Sequence, residues 1–101
     1  MAVTIQQLID EFIGGKDEGI TGTKTNPGNL KIVDGQLIHY QTPIAERVGD
    51  RFLINLTRYS IQTGTVQKKL KETLDSDVCD VIMRVPRDYK GRLEELKKEV
   101  D

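Results

Sequence analysis

The chain has 101 residues with 15 basic and 16 acidic side chains, a net charge of −1, and 37% hydrophobic against 31% charged residues. One domain around one core is the expectation at this length, and the apolar content is too high for an intrinsically disordered chain. The balanced charge supplies no global field of the kind that draws proteins to nucleic acids or membranes, and no apolar run is long enough to span a bilayer.

Residues 4–13 predict a helix. Thr4 and Gln7 have the spacing of a capping box, and Ile5, Leu8, Ile9, Phe12 and Ile13 fall on one helical face. Gly14-Gly15 supplies the stop. The N-terminus has neither the basic nor the apolar segment of a signal peptide. Residues 14–29 are rich in glycine, threonine, lysine and asparagine with almost no apolar content, which predicts a long mobile loop.

Four strands are then expected, at Leu30–Val33, Gln36–Gln41, Ile44–Val48 and Arg51–Leu56. Asp34-Gly35 is a favoured two-residue hairpin turn because both positions need positive φ, and Gly49-Asp50 is a weaker signal of the same kind. Pro43 is expected to separate the hairpins, since it cannot donate to a central ladder. Thr63 or Thr65 can cap a helix running to about Leu74, with Val66, Leu70 and Leu74 stacked at i+4 spacing. Val78–Val85 reads as a strand closed by Pro86, a helical continuation being the alternative. Asp88 is the candidate cap of a last helix over about 89–100, with a thin stripe of Leu93, Leu96 and Val100 and a Glu94–Lys98 pair. The expected fold is α+β: an antiparallel four- to five-stranded sheet, an N-terminal helix and two C-terminal helices, with the helices on one face.

Enzyme motifs are missing. His39, the single histidine, has no partner at metal-ligand spacing, and it shares a strand face with Leu37; a sheet histidine partly covered by neighbours is the expectation. The glycines of 14–28 follow a helix and precede a strand, the reverse of a phosphate loop. Ser60 has no adjacent base or glycine elbow. Cys79 is flanked by acids that raise its pKa, so it reads as structural, and a lone cysteine favours a reducing, cytosolic setting. No metal or cofactor is implied. A minor enzyme using His39 and Tyr59 is the residual reading.

Charge is polarised along the chain. Residues 1–50 hold seven acids and four bases, whereas Arg51, Arg58, Lys68, Lys69 and Lys71 occur in a stretch without an acid. Arg84, Arg87, Lys90 and Arg92 follow against Asp88 alone. Such a patch can track phosphates, meet an acidic protein surface, or be a solvated face. Stacking aromatics are scarce, with five Phe and Tyr residues and no Trp.

The stretch Tyr40–Gln67 is dense in hydroxyls and amides. Tyr40-x-Thr42-Pro43-Ile44-Ala45-x-Arg47, then Asn55-x-Thr57-x-Tyr59-Ser60-x-x-Thr63 and Gln67, resembles a motif of small proteins of phages and other mobile elements, over about residues 37–70. It departs from that pattern at Gly64-Thr65-Val66. The resemblance implies no catalytic residue. By analogy it implies an accessory factor that binds and inhibits a host defence complex in the host cytoplasm, in the manner of anti-CRISPR proteins. The candidate partner-binding residues are Arg47, Arg51, Arg58, Tyr59, Lys68, Lys69, Lys71, Arg84 and Arg87, facing a host protein or ribonucleoprotein; nucleic-acid binding through 47–71 is the alternative. Beside this stands an internal role for the polar residues, which can hydrogen-bond one another and fix a strand-to-helix corner.

Overall fold

The computed structural model describes residues 2–100, with side chains as far as Leu96. The chain order is α1 (Ile5–Ile13), β1 (Glu18–Gly22), β2 (Pro27–Val33), β3 (Gln36–His39), β4 (Thr42–Val48), β5 (Arg51–Asn55), α2 (Ile61–Thr73), a 3-10 turn (Ser76–Val78), β6 (Cys79–Ile82) and α3 (Leu93–Val100). The expected capping box is formed: Gln7 N donates to Thr4 Oγ1 at 3.1 Å and Thr4 N to Gln7 Oε1 at 2.8 Å. Leu8, Ile9 and Phe12 form the buried face of α1.

The α+β class is as expected, but the sheet has six strands in the order β1-β2-β3-β4-β5-β6 and is mixed, not purely antiparallel. Strands β1 to β5 form an antiparallel meander, and β6 lies parallel to β5 with Phe52 opposite Cys79 and Asn55 opposite Ile82. A parallel neighbour needs a crossover that carries the chain back, and α2 supplies it.

The stretch 14–29, expected as a mobile loop, contains β1 and the start of β2. Gly19 is opposite Ile32 and Ile20 opposite Lys31. The strand lacks apolar alternation because a helix packs on it: a Cβ at Gly19 would lie 2.9 Å from Leu8 Cδ1. The ladder ends at Gly22, whose φ of +86° and approach to Asn26 O leave no room for a side chain. Val3 bridges Gly22 from outside and covers that end of the edge strand.

Asp34 and Gly35 both take positive φ, as expected for their hairpin; at the second turn only Gly49 does. The β3–β4 turn is the tight one the sequence does not advertise. Tyr40 (φ 49°) and Gln41 (φ 71°) occupy it without a glycine. Pro43 therefore does not separate two hairpins but lies inside β4. A bulge accommodates it: Leu37 pairs with Ala45 and Ile38 with Pro43, leaving Ile44 unpaired and fully buried in the core.

The helices occupy both faces of the sheet rather than one. On one face α1 and α2 cover the main core, in which Leu8, Ile9, Phe12, Leu37, Ile54, Val66 and Leu70 are buried. On the other, α3 closes a smaller cluster of Leu53, Ile82, Val85 and Leu93. The reason is a polar anchor. Glu46 lies fully buried on β4 and accepts from Leu93 N at 2.7 Å, Glu94 N at 3.0 Å and Gln36 Nε2 at 2.9 Å. A carboxylate at a helix N-terminus satisfies donors that have no intrahelical partner. The helix starts at Leu93, not near 89. Of its expected stripe Leu93 and Leu96 pack on the sheet, while Val100 and the Lys98 side chain lie outside the described side chains.

Candidate functional site

The polar stretch closes on itself. The β5–α2 corner is drawn in by Gln67, whose Nε2 donates to Asn55 O at 2.8 Å and Thr57 O at 3.0 Å. Asn55 is fully buried and donates through Nδ2 to Pro43 O and Tyr59 Oη, both at 2.9 Å, while its Oδ1 accepts from Thr57 N at 3.0 Å. Tyr59 Oη donates to Val85 O at 2.7 Å, and Val85 N donates to Thr57 Oγ1 at 2.9 Å. The loops after β5 and β6 are thus tied together at the C-terminal ends of the parallel strands. Ser60, not Thr63 or Thr65, is the N-cap of α2, accepting from Thr63 N at 3.1 Å. The motif residues Asn55, Thr57, Tyr59, Ser60, Thr63 and Gln67 fix the corner, and Tyr59 is a member of that network rather than a free contact residue.

Two of the candidate arginines are also engaged. Arg47 reaches the far end of α1: Nη1 donates to Asp17 Oδ1 at 2.8 Å, and Nη2 to Lys16 O at 3.0 Å and to Phe12 O. Its guanidinium stands 5.2 Å from the Phe12 ring centroid. Arg47 Nε is the one buried side-chain polar atom without a hydrogen bond among the described residues. Arg47 caps a helix whose last turn has no cation of its own. Arg51 forms a two-pronged pair with Asp80 at 3.1 Å and donates to Asp77 O at 3.0 Å, joining β5 to β6. The Asp80 carboxylate bonded to it holds its pKa above the ordinary value.

The other six, Arg58, Lys68, Lys69, Lys71, Arg84 and Arg87, are exposed, and their side chains have no hydrogen-bond or ion-pair partner among the described residues. They are carried by α2 and by the two joined loops at its N-terminal end. Arg84 takes a left-handed φ of 62°. Ile61, at the start of α2 between these cations, is 91% exposed. The sequence indicated the cations but not which of them the fold consumes, because their partners are distant in the chain.

His39 is buried, and its Nδ1 lies 2.9 Å from Thr63 Oγ1. Burial pushes its pKa below the ordinary value. Tyr59 bonds to other groups, so the two are not assembled as an acid–base pair. Cys79 is half-buried, and its Sγ donates to Asp75 O at 2.9 Å. Burial, then the Asp75 carboxylate, pushes the thiol up, away from nucleophilic character. Glu46, which sequence reasoning passed over, is the most consequential ionisable group of the interior. Its signal was a lone acid directly after the apolar run Pro43–Ala45.

No group of three or more histidine, cysteine or carboxylate side chains that could hold a metal ion occurs among the described residues. No helix among them is long and apolar enough to cross a membrane. No protein-family model matches the chain, nor does any curated protein or solved structure.

Proposed function

We propose that this protein acts by binding, without catalysis, and that its contact surface is the cationic band of α2 and the adjoining loops. In this reading it is a small phage or mobile-element factor working in the host cytoplasm. It binds and inhibits a host defence ribonucleoprotein, as anti-CRISPR proteins do. The observation that carries the binding surface is the set of six exposed, unpartnered cations, Arg58, Lys68, Lys69, Lys71, Arg84 and Arg87, with the exposed Ile61 at the start of the helix that carries three of them. Fold maintenance does not require them, whereas it accounts for Arg47, Arg51 and Tyr59. A protein surface suits the band because it carries a fully presented aliphatic side chain, Ile61, beside its charges, and interfaces combine apolar with polar area. The inhibitory role rests on the resemblance of the 37–70 motif alone.

The test is to mix the protein with CRISPR effectors of candidate hosts and to measure co-elution and target cleavage. The triple variant Lys68→Glu, Lys69→Glu, Lys71→Glu should stay folded and lose binding at least tenfold. Failure to bind or inhibit any effector sinks the inhibitory role. Binding by the triple variant at wild-type affinity sinks the surface. The same cations favour one second reading, direct contact with nucleic acid. In that case log affinity should fall against log salt with a slope of about −0.9 per phosphate neutralised. A flat salt response removes that reading.

A further inference from the structure

A groove of about 420 Å³ opens between the N-terminal ends of α1 and α2 and the β2–β3 strands. This falls within the usual range of small-ligand sites, about 300–1,000 Å³. Its apolar lining comes from Ile5, Leu30 and Val66, its polar lining chiefly from Asn29, His39, Tyr40 and Gln62. No Lys, Arg, Asp or Glu lines it.

The polar groups are held in place by bonds to the α2 N-terminus. Ser60 Oγ donates to Thr63 Oγ1 at 3.1 Å, and Thr63 Oγ1 stands 2.9 Å from His39 Nδ1. That bond occupies Nδ1 and leaves Nε2 as the ring nitrogen open to a ligand, a donor when Thr63 gives its proton to Nδ1 and an acceptor when Nδ1 gives its own. Burial keeps the ring neutral near pH 7. Nε2 has no protein partner, yet it is not a buried unpaired nitrogen, since Arg47 Nε alone has that status among the described residues. Nε2 therefore meets the solvent of the groove as an open hydrogen-bonding group. Opposite it, Tyr40 Oη sits between two amides, Asn29 Nδ2 at 2.8 Å and Gln62 Oε1 at 3.0 Å. A phenol has one proton. It accepts from Asn29 Nδ2 and gives its proton to Gln62 Oε1, which leaves Asn29 Oδ1 as a free acceptor and Gln62 Nε2 as a free donor.

The geometry is also strained. Tyr40 and Gln41 both hold the left-handed conformation, which is strained for a non-glycine residue and clusters at ligand clamps. That turn sets the half-exposed Tyr40 ring edge-on to His39, with centroids 4.5 Å apart, beside the opening.

We propose that this groove binds an uncharged planar heterocycle of the nucleobase class. Its ring lies against Tyr40 and the apolar floor, and its edge is read by His39 Nε2, Asn29 Oδ1 and Gln62 Nε2. No cation stands in the lining to grip a phosphate, so the base itself carries the affinity. The base can come from a free nucleoside or from a single strand, and the experiment separates the two.

Isotope-labelled protein is titrated with adenosine, guanosine, cytidine and uridine, their 5′-monophosphates, and short single-stranded oligonucleotides. Amide and imidazole resonances are followed by NMR. At least one base should give saturable shifts at His39 and at the Asn29 and Gln62 side chains, with the monophosphate no more than twofold tighter than the nucleoside. Saturation by nucleosides assigns a free ligand; saturation of the same resonances by oligonucleotides alone assigns a base presented by a strand. Gln62→Ala and Asn29→Ala alter exposed side chains and should preserve the folded spectrum while weakening binding at least fivefold. The proposal is overturned if no arm gives saturable shifts at these residues, or if both variants bind as wild type does.

Discussion

Replacing Glu46 with alanine should release the C-terminal helix from the sheet. The carboxylate is fully buried, and its oxygens take the first two amides of α3, Leu93 N at 2.7 Å and Glu94 N at 3.0 Å. Arg92 Nε stands 3.4 Å away, but it is partly exposed and screened, so it adds little. In Glu46→Ala the Gln36 amide keeps Gly91 O at 3.1 Å, whereas both helix amides lose their acceptor. A hydrogen bond to a charged group contributes about 1.5–3 kcal/mol, so two of them amount to about 3–6 kcal/mol if nothing moves. The molecule has a cheaper route, in which α3 lifts and its amides reach water. That route forfeits the burial of Leu93, about 1.5–3 kcal/mol, and exposes parts of Val85 and Ile82. An eight-residue helix does not persist alone in water, so lifting ends in unfolding of the segment. The expected loss is about 3 kcal/mol, appearing first at α3. Glu46→Gln keeps the volume and one acceptor oxygen but turns an NH₂ toward an amide donor, and should lose about half as much. Urea unfolding measures the total, and amide hydrogen exchange at Leu93 and Glu94 locates it. If Glu46→Ala unfolds within about 0.5 kcal/mol of wild type and the Leu93 amide exchanges no faster, the anchoring argument is wrong and apolar packing alone seats α3.

Arg47→Lys should destabilise the fold by about 1–3 kcal/mol, because an ammonium cannot span Phe12 O, Lys16 O and Asp17 together; its partner affinity, measured on the folded fraction, should not change. An affinity loss without a stability loss would return Arg47 to the contact surface. Gln41→Gly should raise stability by about 0.5–1 kcal/mol by relieving a left-handed residue, and an unchanged or lower melting temperature counts against strain in that turn. The His39 pKa is depressed on folding, so the unfolded chain takes up this proton first as pH falls. The His39 contribution is complete above about pH 6.5 and is lost progressively as pH drops toward the folded value. His39→Gln should flatten the urea midpoint between pH 7.5 and 5.5, and an identical pH slope in both proteins would refute the assignment.

Local rules made much of the meander legible. The Thr4–Gln7 capping box, the apolar face of α1 and the Asp34-Gly35 turn each depend on residues a few positions apart, and each is formed as read. Strand β1 was hidden because its fit to α1 is made with Gly19, where strand patterns look for a side chain. The Tyr40-Gln41 turn was hidden because its residues disfavour the conformation they adopt, closed by the backbone bond from Tyr40 N to Asn29 O. The parallel placement of β6 was available in principle, since a helix between two strands returns the chain to the same end. At the site, the cations were visible as a composition bias. Their division into structural and free groups depended on Asp17, Asp80 and the Phe12 carbonyl, contacts that only the tertiary fold creates.

The place of β6 also bears on how the chain reaches its fold. Strands β1 to β5 pair with sequence neighbours through short turns, contacts that form quickly. Strand β6 joins only after α2 has crossed the sheet. Until then β5 presents a bare edge, with Leu53 and Ile54 on opposite faces and no strand beyond them. An unpaired edge on an apolar strand is a template for pairing with another chain. During synthesis the hazard lasts from the emergence of Asn55 to that of Ile82, and a fragment ending at Thr73 is expected to aggregate where the full chain does not.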